Sequence, residues 1–449
     1  MKIFSKIKEY LLDGDYLKDL SRLVSSTLIA NLIPIIISPV LARMYSPEAF
    51  GIFGLYISIV NIATVIFTGR YEMAIVLSKT RKEAVNLIYL ALLIGLVLMF
   101  IGYLVVILIC LISPTISSGS HIWIWAIPIS AYMVAVNRTL VNFSSSQRDY
   151  GSIALNKIIR ASSVGSIKML VFPLLRSGGL IIGNLLGFVG TVSSYLFIVI
   201  RKKHLILHKI KPGSLFSTAI THKKFFQFDL ISGLLNAVSL NIPIIILSLY
   251  YSKELVGHYS MAFTIINLPM MLIGTSIGQI YYERISKLKS QEEISQSTSK
   301  VLQQLILMGS SVMLVLVFGD VLFSFVLGRI WIQAGEFAQY MAPWVYIVFI
   351  ASPISNIYLK YGMQKRLMNF NIVLLISRVA VLFGAVFILK DVKLVVLLFS
   401  ITGFIIWFAL LVRELIICKL PVRRYSFRVL IPLIVALGFL VIRNLLSIL

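Results

Sequence analysis

Apolar runs long enough to cross a bilayer recur along almost the whole chain, separated only by short polar stretches. A helix needs about 20 residues to traverse hydrocarbon. Inside lipid each backbone N–H and C=O must find its partner within the segment, so runs of this length fold as helices. Runs at 23–43, 50–69, 84–113, 122–144, 152–174, 179–200, 225–250, 256–282, 301–328, 337–359, 367–389 and 394–418 predict twelve spans. A further run, 428–448, is interrupted by Arg443 and predicts a thirteenth. No soluble domain fits between them. At 59% hydrophobic and 13% charged residues, the chain carries more apolar surface than a water-soluble globule hides.

The formal charge of +24 is spread through the loops rather than gathered on one surface, which excludes a nucleic-acid partner. Basic residues are retained on the cytoplasmic side of a membrane. With the N-terminus inside, the inner segments hold 29 Lys and Arg and the outer loops hold 6. This asymmetry sets a cytoplasmic N-terminus. The first 22 residues mix five basic with four acidic residues and lack the apolar stretch of a signal peptide, so they read as an amphipathic cytoplasmic lead-in. Cys110 and Cys418 fall at opposite faces in this topology, and their spacing suits neither a disulfide nor a metal.

A weak internal repeat organises the chain. Tyr45-Ser-Pro-Glu-Ala-Phe-Gly-Ile-Phe53 lies over Tyr251-Ser-Lys-Glu-Leu-Val-Gly-His-Tyr259, with Tyr, Ser, Glu and Gly coinciding and Asn61 and Asn267 at one offset. Ser46-Pro47-Glu48 is also a helix start: a capping hydroxyl, Pro at the first position and an acid in the first turn. A repeat six spans apart leaves both halves in one orientation. The expected fold is therefore an all-α polytopic membrane protein, with 12 to 13 transmembrane helices in two pseudo-symmetric six-helix lobes around a central cavity. Residues 1–22 are the lead-in, 23–200 the N-lobe, 201–224 a basic cytoplasmic linker, 225–418 the C-lobe, and 419–449 a C-terminal segment able to hold the extra helix.

Five cations fall inside spans: Arg138, Lys157, Arg160, Lys168 and Arg378. A cation at mid-bilayer costs about 2.5–3.5 kcal/mol even on the lenient insertion scale, so each is expected to face a bundle interior or water. Helical spacing aligns Arg138 with Asn142 and Ser145, Asn156 with Ser152, Arg160 and Ser163, Asn236 with Asp229, Ser232 and Ser239, and Asn61 with Thr64 and Thr68. Such stripes either glue helices together or line a wet path. In-span acids comparable to these cations are only Asp229 and Asp320, so the excess positive field points to an anionic cargo. Arg grips phosphate oxygens through its planar fork, whereas Lys acts as a point charge. On this reading the cations hand on a pyrophosphate and the Asn, Ser and Thr stripes hold sugar hydroxyls; the bland reading is snorkelling or local pairing. Asp229 and Asp320 are candidate sites for a coupling proton or sodium ion, the competing reading being an ion pair or a place near a helix end. Arg70 and Glu72, at the inner end of the second span, read either as a gate or entrance or as an interfacial anchor. No nucleophile, Gly-rich phosphate cradle or ATP motif is present, and neither cofactor nor catalysis is expected.

Several segments carry a resemblance. Pro39-Val-Leu-Ala-Arg-Met-Tyr-Ser-Pro-Glu-Ala-Phe-Gly-Ile-Phe53 and Thr68-Gly-Arg-Tyr-Glu-Met-Ala-Ile-Val-Leu77 resemble the N-terminal part of the polysaccharide-transport, O-antigen flippase (Wzx-type) family. Gly179–Gly187 and Val256–Ala262 through Pro269 to Gly278-Gln-Ile280 are similar to it as well. The resemblance covers about residues 20 to 290 and implies the multidrug/oligosaccharidyl-lipid/polysaccharide exporter fold. It also implies an undecaprenyl-pyrophosphate-linked glycan, an O-antigen or capsular repeat unit, as cargo. The place it implies is a bacterial inner membrane, beside lipids and other polysaccharide-assembly membrane proteins. Competing readings are a lipid II-type flippase, a cation-coupled drug exporter, which should line its path with acids, and a surface-polysaccharide polymerase or ligase. The last needs a sizeable outer loop, and the longest here is about ten residues.

Overall fold

A computed structural model describes residues 30, 32–78, 80–112, 122–147, 149–201, 212–223 and 225–446. The expected lead-in, the outer loop after the third span and linker residues 202–211 lie outside the described residues. Almost everything described is helix, with no strand among the described residues. Among the described residues ten segments are long and apolar enough to cross a membrane, and one of them, Tyr150–Arg201, is itself two helices joined by a single turn at Arg176–Gly178. The protein is an all-α polytopic membrane protein.

Contacts divide the chain into two compact units. Unit 1 comprises Tyr56–Ala237 with the described part of Met1–Leu41, and unit 2 comprises Ala42–Leu55 with Val238–Leu449. In chain order the helices are α1 (Leu32–Met44), α2 (Pro47–Phe67), α3 (Arg81–Ile112), α4 (Ala126–Ser146), α5 (Tyr150–Leu175), α6 (Gly179–Arg201), α7 (Pro212–Thr221), α8 (Leu230–Tyr250), α9 (Lys253–Ile266), α10 (Thr275–Lys287), α11 (Gln291–Leu316), α12 (Gly319–Leu327), α13 (Ile332–Ile354), α14 (Gln364–Leu389), α15 (Val392–Ile417) and α16 (Val422–Leu446). Three helices change unit part-way: α1 after Leu41, α2 after Leu55 and α8 after Ala237.

Unit 1 is held by small residues at its helix contacts. A Cβ at Gly183 would meet the Lys168 backbone at 2.7 Å, and one at Gly187 the Val164 backbone at 2.6 Å, so α5 and α6 pack almost backbone to backbone. Near the end of α2, Tyr71, Ala74, Ile75, Leu87, Ile88, Leu140, Phe143 and Tyr195 form a buried apolar cluster. The stretch expected to be a plain linker contains α7, which packs on α3. His222, just past α7, bonds Glu83 at 2.8 Å.

In unit 2, α13 is buried on every side and forms the axis of the core. The two copies of the sequence repeat meet here. Ser46 Oγ accepts from the Ala49 amide and Ser252 Oγ from the Leu255 amide, each at 3.3 Å. A Cβ on Gly51 would be driven into the Lys253 carbonyl, and one on Gly257 into the Pro47 carbonyl. These reciprocal contacts make a local pseudo-two-fold crossing, and they explain why both copies carry glycine at one position.

Three expected boundaries move. The ninth span begins ten residues before the expected 301, because Ser290 caps α11 by accepting from the Glu292 amide at 3.2 Å, and two acids fill the first turn. It also breaks at Val317–Phe318 instead of running to 328. The break lets Gly319 at the start of α12 approach Gly335 of α13, where a Cβ on Gly319 would sit 2.7 Å from the Gly335 carbonyl oxygen. The C-terminal run folds as one helix, α16, starting at Val422 rather than 428.

Candidate functional site

The site begins where α2 ends. Thr68 Oγ donates back to the Val65 carbonyl at 3.3 Å, and the next two residues turn left-handed, Gly69 at φ +56° and Arg70 at φ +62°. Glycine adopts this conformation freely, but for arginine it costs about 1–2 kcal/mol and must be held by contacts. They are present. Arg70 Nε donates to Asp229 Oδ2 at 2.8 Å, and Nη1 lies 3.7 Å from Glu72 Oε1. On α8, Gly233 leaves room for this guanidinium: a Cβ there would approach its Nε to 3.0 Å.

Glu72 is 1% exposed, and its Oε2 has no hydrogen-bond partner. Burial pushes its carboxyl above the usual carboxylate range, against the opposing pull of the nearby Thr68 hydroxyl and of the Arg70 and Arg138 charges. Arg138, half-buried on α4, interacts electrostatically with Glu72, Arg70 and Arg160. On α5 the Asp149 cap accepts from the Ser152 amide at 3.1 Å and its hydroxyl at 2.7 Å, fixing the register that carries Lys157 and Arg160. These two interact with each other. Arg160 is exposed on α5, beside Lys157.

Four cations, Arg70, Arg138, Lys157 and Arg160, thus gather in unit 1 with two carboxyls, Glu72 and Asp229. The residues singled out as gate, as cargo ligands and as one ion-coupling candidate come together. Others do not join them. Asn156 is buried and donates to Asn137 Oδ1 at 3.0 Å, a bond that holds α4 to α5. Asn137, one residue off the stripe of Arg138, was not anticipated, since its partner lies on another helix. Lys168 is buried at the α5–α6 contact under Gly183. Asn61 and Asn142 are half-buried and Asn236 is exposed.

Arg378 and Asp320 belong to unit 2. Arg378 is 4% exposed and donates through Nη1 to both the carbonyl and Oγ of Ser239 at 2.9 Å. Asp320 opens α12 and carries a two-point ion pair with Arg443, one contact at 2.8 Å. That partner sits more than a hundred residues away, on the helix whose existence the sequence left open.

Residues 16–289, more than half of the chain, match the model of a family described as polysaccharide biosynthesis protein. The chain belongs to that family. A search of curated protein sequences found no match. Among solved structures, this family member is similar to the lipid II flippase MurJ in an inward closed conformation, with TM-score 0.73 and 15% identity over 93% of this chain and 91% of that one. It is also similar to an inward-facing multidrug resistance MATE family transporter of the MOP superfamily, with TM-score 0.66 and 12% identity over 87% and 94%. A MOP superfamily transporter from Pyrococcus furiosus, described as having a binding pocket of reverse polarity, aligns with TM-score 0.61 and 12% identity over 90% and 96%. At such identities the likeness shows the fold, which is that of flippases and exporters.

Proposed function

We propose that this protein moves an undecaprenyl-pyrophosphate-linked oligosaccharide, an O-antigen or capsular repeat unit, from the cytoplasmic to the periplasmic leaflet of a bacterial inner membrane. One observation carries the reading: four cations against two carboxyls in unit 1, with Arg160 accessible among them. Like charges held together inside an apolar protein need a counter-anion or water, and a pyrophosphate supplies the first. Arg138, Lys157 and Arg160 take the phosphate oxygens, Asn61, Asn142 and Asn236 meet sugar hydroxyls, and the prenyl tail stays in hydrocarbon. Family membership favours a surface-polysaccharide unit over lipid II, whose head group is also a pyrophosphate glycan. The positive field disfavours an exporter of organic cations.

Arg70 acts as the gate in this reading. Its guanidinium is shared between Asp229 and Glu72 at rest, and an arriving anion competes for it. We assign the coupling ion to a proton on Glu72, the acid in this cluster with an unbonded oxygen. Protonation removes one negative charge and strengthens the site for phosphate, and loss of the proton weakens it. Only such differential binding lets cargo or ion drive the switch.

Deleting the gene and locating the lipid-linked oligosaccharide tests the cargo. Accumulation on the inner leaflet with loss of surface polymer is expected. An unchanged surface polymer, in a strain with no second transporter, would overturn the proposal.

A further inference from the structure

Unit 2 contains a polar space of its own. A cavity of about 350 Å³ lies among α11, α12, α13, α15 and α16, within the range of about 300–1,000 Å³ typical of small-ligand sites. Asp320, Glu336, Gln339 and Arg443 form its polar wall, and Leu437 and Leu440 of α16 form an apolar one that continues to the protein surface, where Leu437 is 49% exposed.

The charges on this wall come in balanced pairs. Arg443 grips both oxygens of Asp320 and also donates to the Val317 carbonyl at 3.0 Å. Lys393 Nζ meets Glu336 Oε2 at 2.7 Å, and Gln339 Nε2 donates to Asp320 Oδ1 at 2.9 Å. Each of the four charged side chains keeps between 23% and 40% of its surface open. Lys393 is not itself a lining residue, but counted with its partner Glu336 it makes the two pairs neutral in sum, and the wall is strongly polar, the opposite of the cation cluster in unit 1. A bare anion gains nothing here, since every guanidinium or ammonium is already matched by a carboxylate. A ligand that carries both signs a few ångströms apart can meet the open faces of both pairs at once. The apolar strip on α16 asks that such a ligand also carry a tail.

We propose that this cavity holds a zwitterionic phospholipid, with its ammonium between Asp320 and Glu336, its phosphate at Arg443 and its acyl chains along Leu437 and Leu440. The lipid then pins α16 to the rest of unit 2. Because Arg443 bonds the Val317 carbonyl at the break between α11 and α12, head-group occupancy also steadies that break.

Native mass spectrometry of the purified full-length protein tests the assignment. The protein is offered equal amounts of phosphatidylethanolamine and phosphatidylglycerol with identical acyl chains. Retention of phosphatidylethanolamine at least about fivefold above phosphatidylglycerol is expected, a difference worth about 1 kcal/mol. Leu440→Trp, which fills the cavity from its apolar side, should abolish the preference while helix content by circular dichroism is unchanged. If that variant does not fold, the pair Glu336→Gln with Lys393→Gln removes one charged face and should lower the preference at least twofold. Equal retention of the two lipids by the wild type, or a preference that survives in a folded variant, would overturn the proposal. Displacement of the lipid by equimolar free phosphoethanolamine would also overturn it, by assigning the site to a soluble zwitterion.

Discussion

Arg160 and Arg378 look alike in sequence, each a lone guanidinium inside an apolar helix, yet the two units use them in opposite ways. Arg378 is absorbed into unit 2: Ser239 takes Nη1, and the guanidinium lies over Trp344 at 5.1 Å and Phe399 at 5.7 Å. Aromatic faces and a carbonyl stand in for its counter-ion. Arg160 has instead the like charges Arg138 and Lys157 for neighbours, and keeps open surface. An in-span cation therefore reveals its role through its surroundings. Where acceptors and rings surround a buried cation the charge is structural, even though Arg378 leaves its buried Nε unbonded, and where cations outnumber carboxyls the space between them is suited to an anion.

The contrast can be broken most severely at the helix crossing in unit 2. Gly257→Val would push a branched side chain into the Pro47 carbonyl, a backbone atom that cannot step aside. Almost no monodisperse protein is expected in size-exclusion chromatography, and Gly51→Val should behave alike. By contrast, Gly190→Ala in unit 1, where a Cβ meets nothing within 4 Å, should purify like the wild type. Next in size is Arg378→Ala, which empties a buried site beside Trp344, Phe399 and Ser239. It should lower unfolding stability by about 2–4 kcal/mol, read from thermal melts in one detergent. Transport per folded molecule should stay near the wild-type value, and a folded Arg378→Ala protein without transport would move this residue from scaffold to cargo path.

Much of the fold could be read beforehand, because hydrocarbon leaves a spanning chain so little choice. The apolar runs at 84–113, 152–174 and 367–389 came within a few residues of α3, α5 and α14, since length and apolarity are both local properties. The repeat at Tyr45 and Tyr251 was legible for the same reason, although its meaning, a reciprocal glycine crossing, needs two segments two hundred residues apart to be in contact. Pairings were not legible at all. Stripes on single helices placed Asn156 beside Arg160, but the acceptor for Asn156 is Asn137 on α4. Asp229 and Asp320 stood out as lone in-span acids and proved to be held by Arg70 and Arg443. Glu414 drew no notice near the end of a span; it is fully buried in unit 2 with neither carboxyl oxygen bonded. Spacing reports which residues share a face, while partner identity depends on which helices pack.

Arg160→Ala sharpens the comparison from the other side. Removing a side chain that repels its neighbours should leave thermal stability within about 0.5 kcal/mol of the wild type. Loss of one charge-assisted contact to phosphate is worth about 1.5–3 kcal/mol, which corresponds to roughly 10- to 100-fold weaker cargo transport in proteoliposomes. Stability and transport thus separate in reverse for Arg160→Ala and Arg378→Ala. Equal losses of stability in both would remove the distinction between the units.

The smallest expected effect lies in pH dependence. Burial raises the Glu72 carboxyl above its unfolded value, so the neutral form persists to higher pH in the folded protein. The folded state then binds more protons than the unfolded state between the two pKa values, and stability falls as pH rises through the raised one. Below the unfolded value this contribution is fully present. Anion affinity follows the same sign, because each Glu72 that loses its proton gives Arg70 and Arg138 a competing negative charge. Pyrophosphate binding, measured by calorimetry across acidic to neutral pH at constant ionic strength, should therefore fall progressively short of the gain that the ligand's own deprotonation supplies as pH rises. Glu72→Gln fixes the neutral form, so its curve should follow the ligand alone and lie at or above the wild type throughout. Parallel curves for the two proteins would show that Glu72 does not exchange its proton in this range, and the coupling ion would then have to be sought away from this cluster.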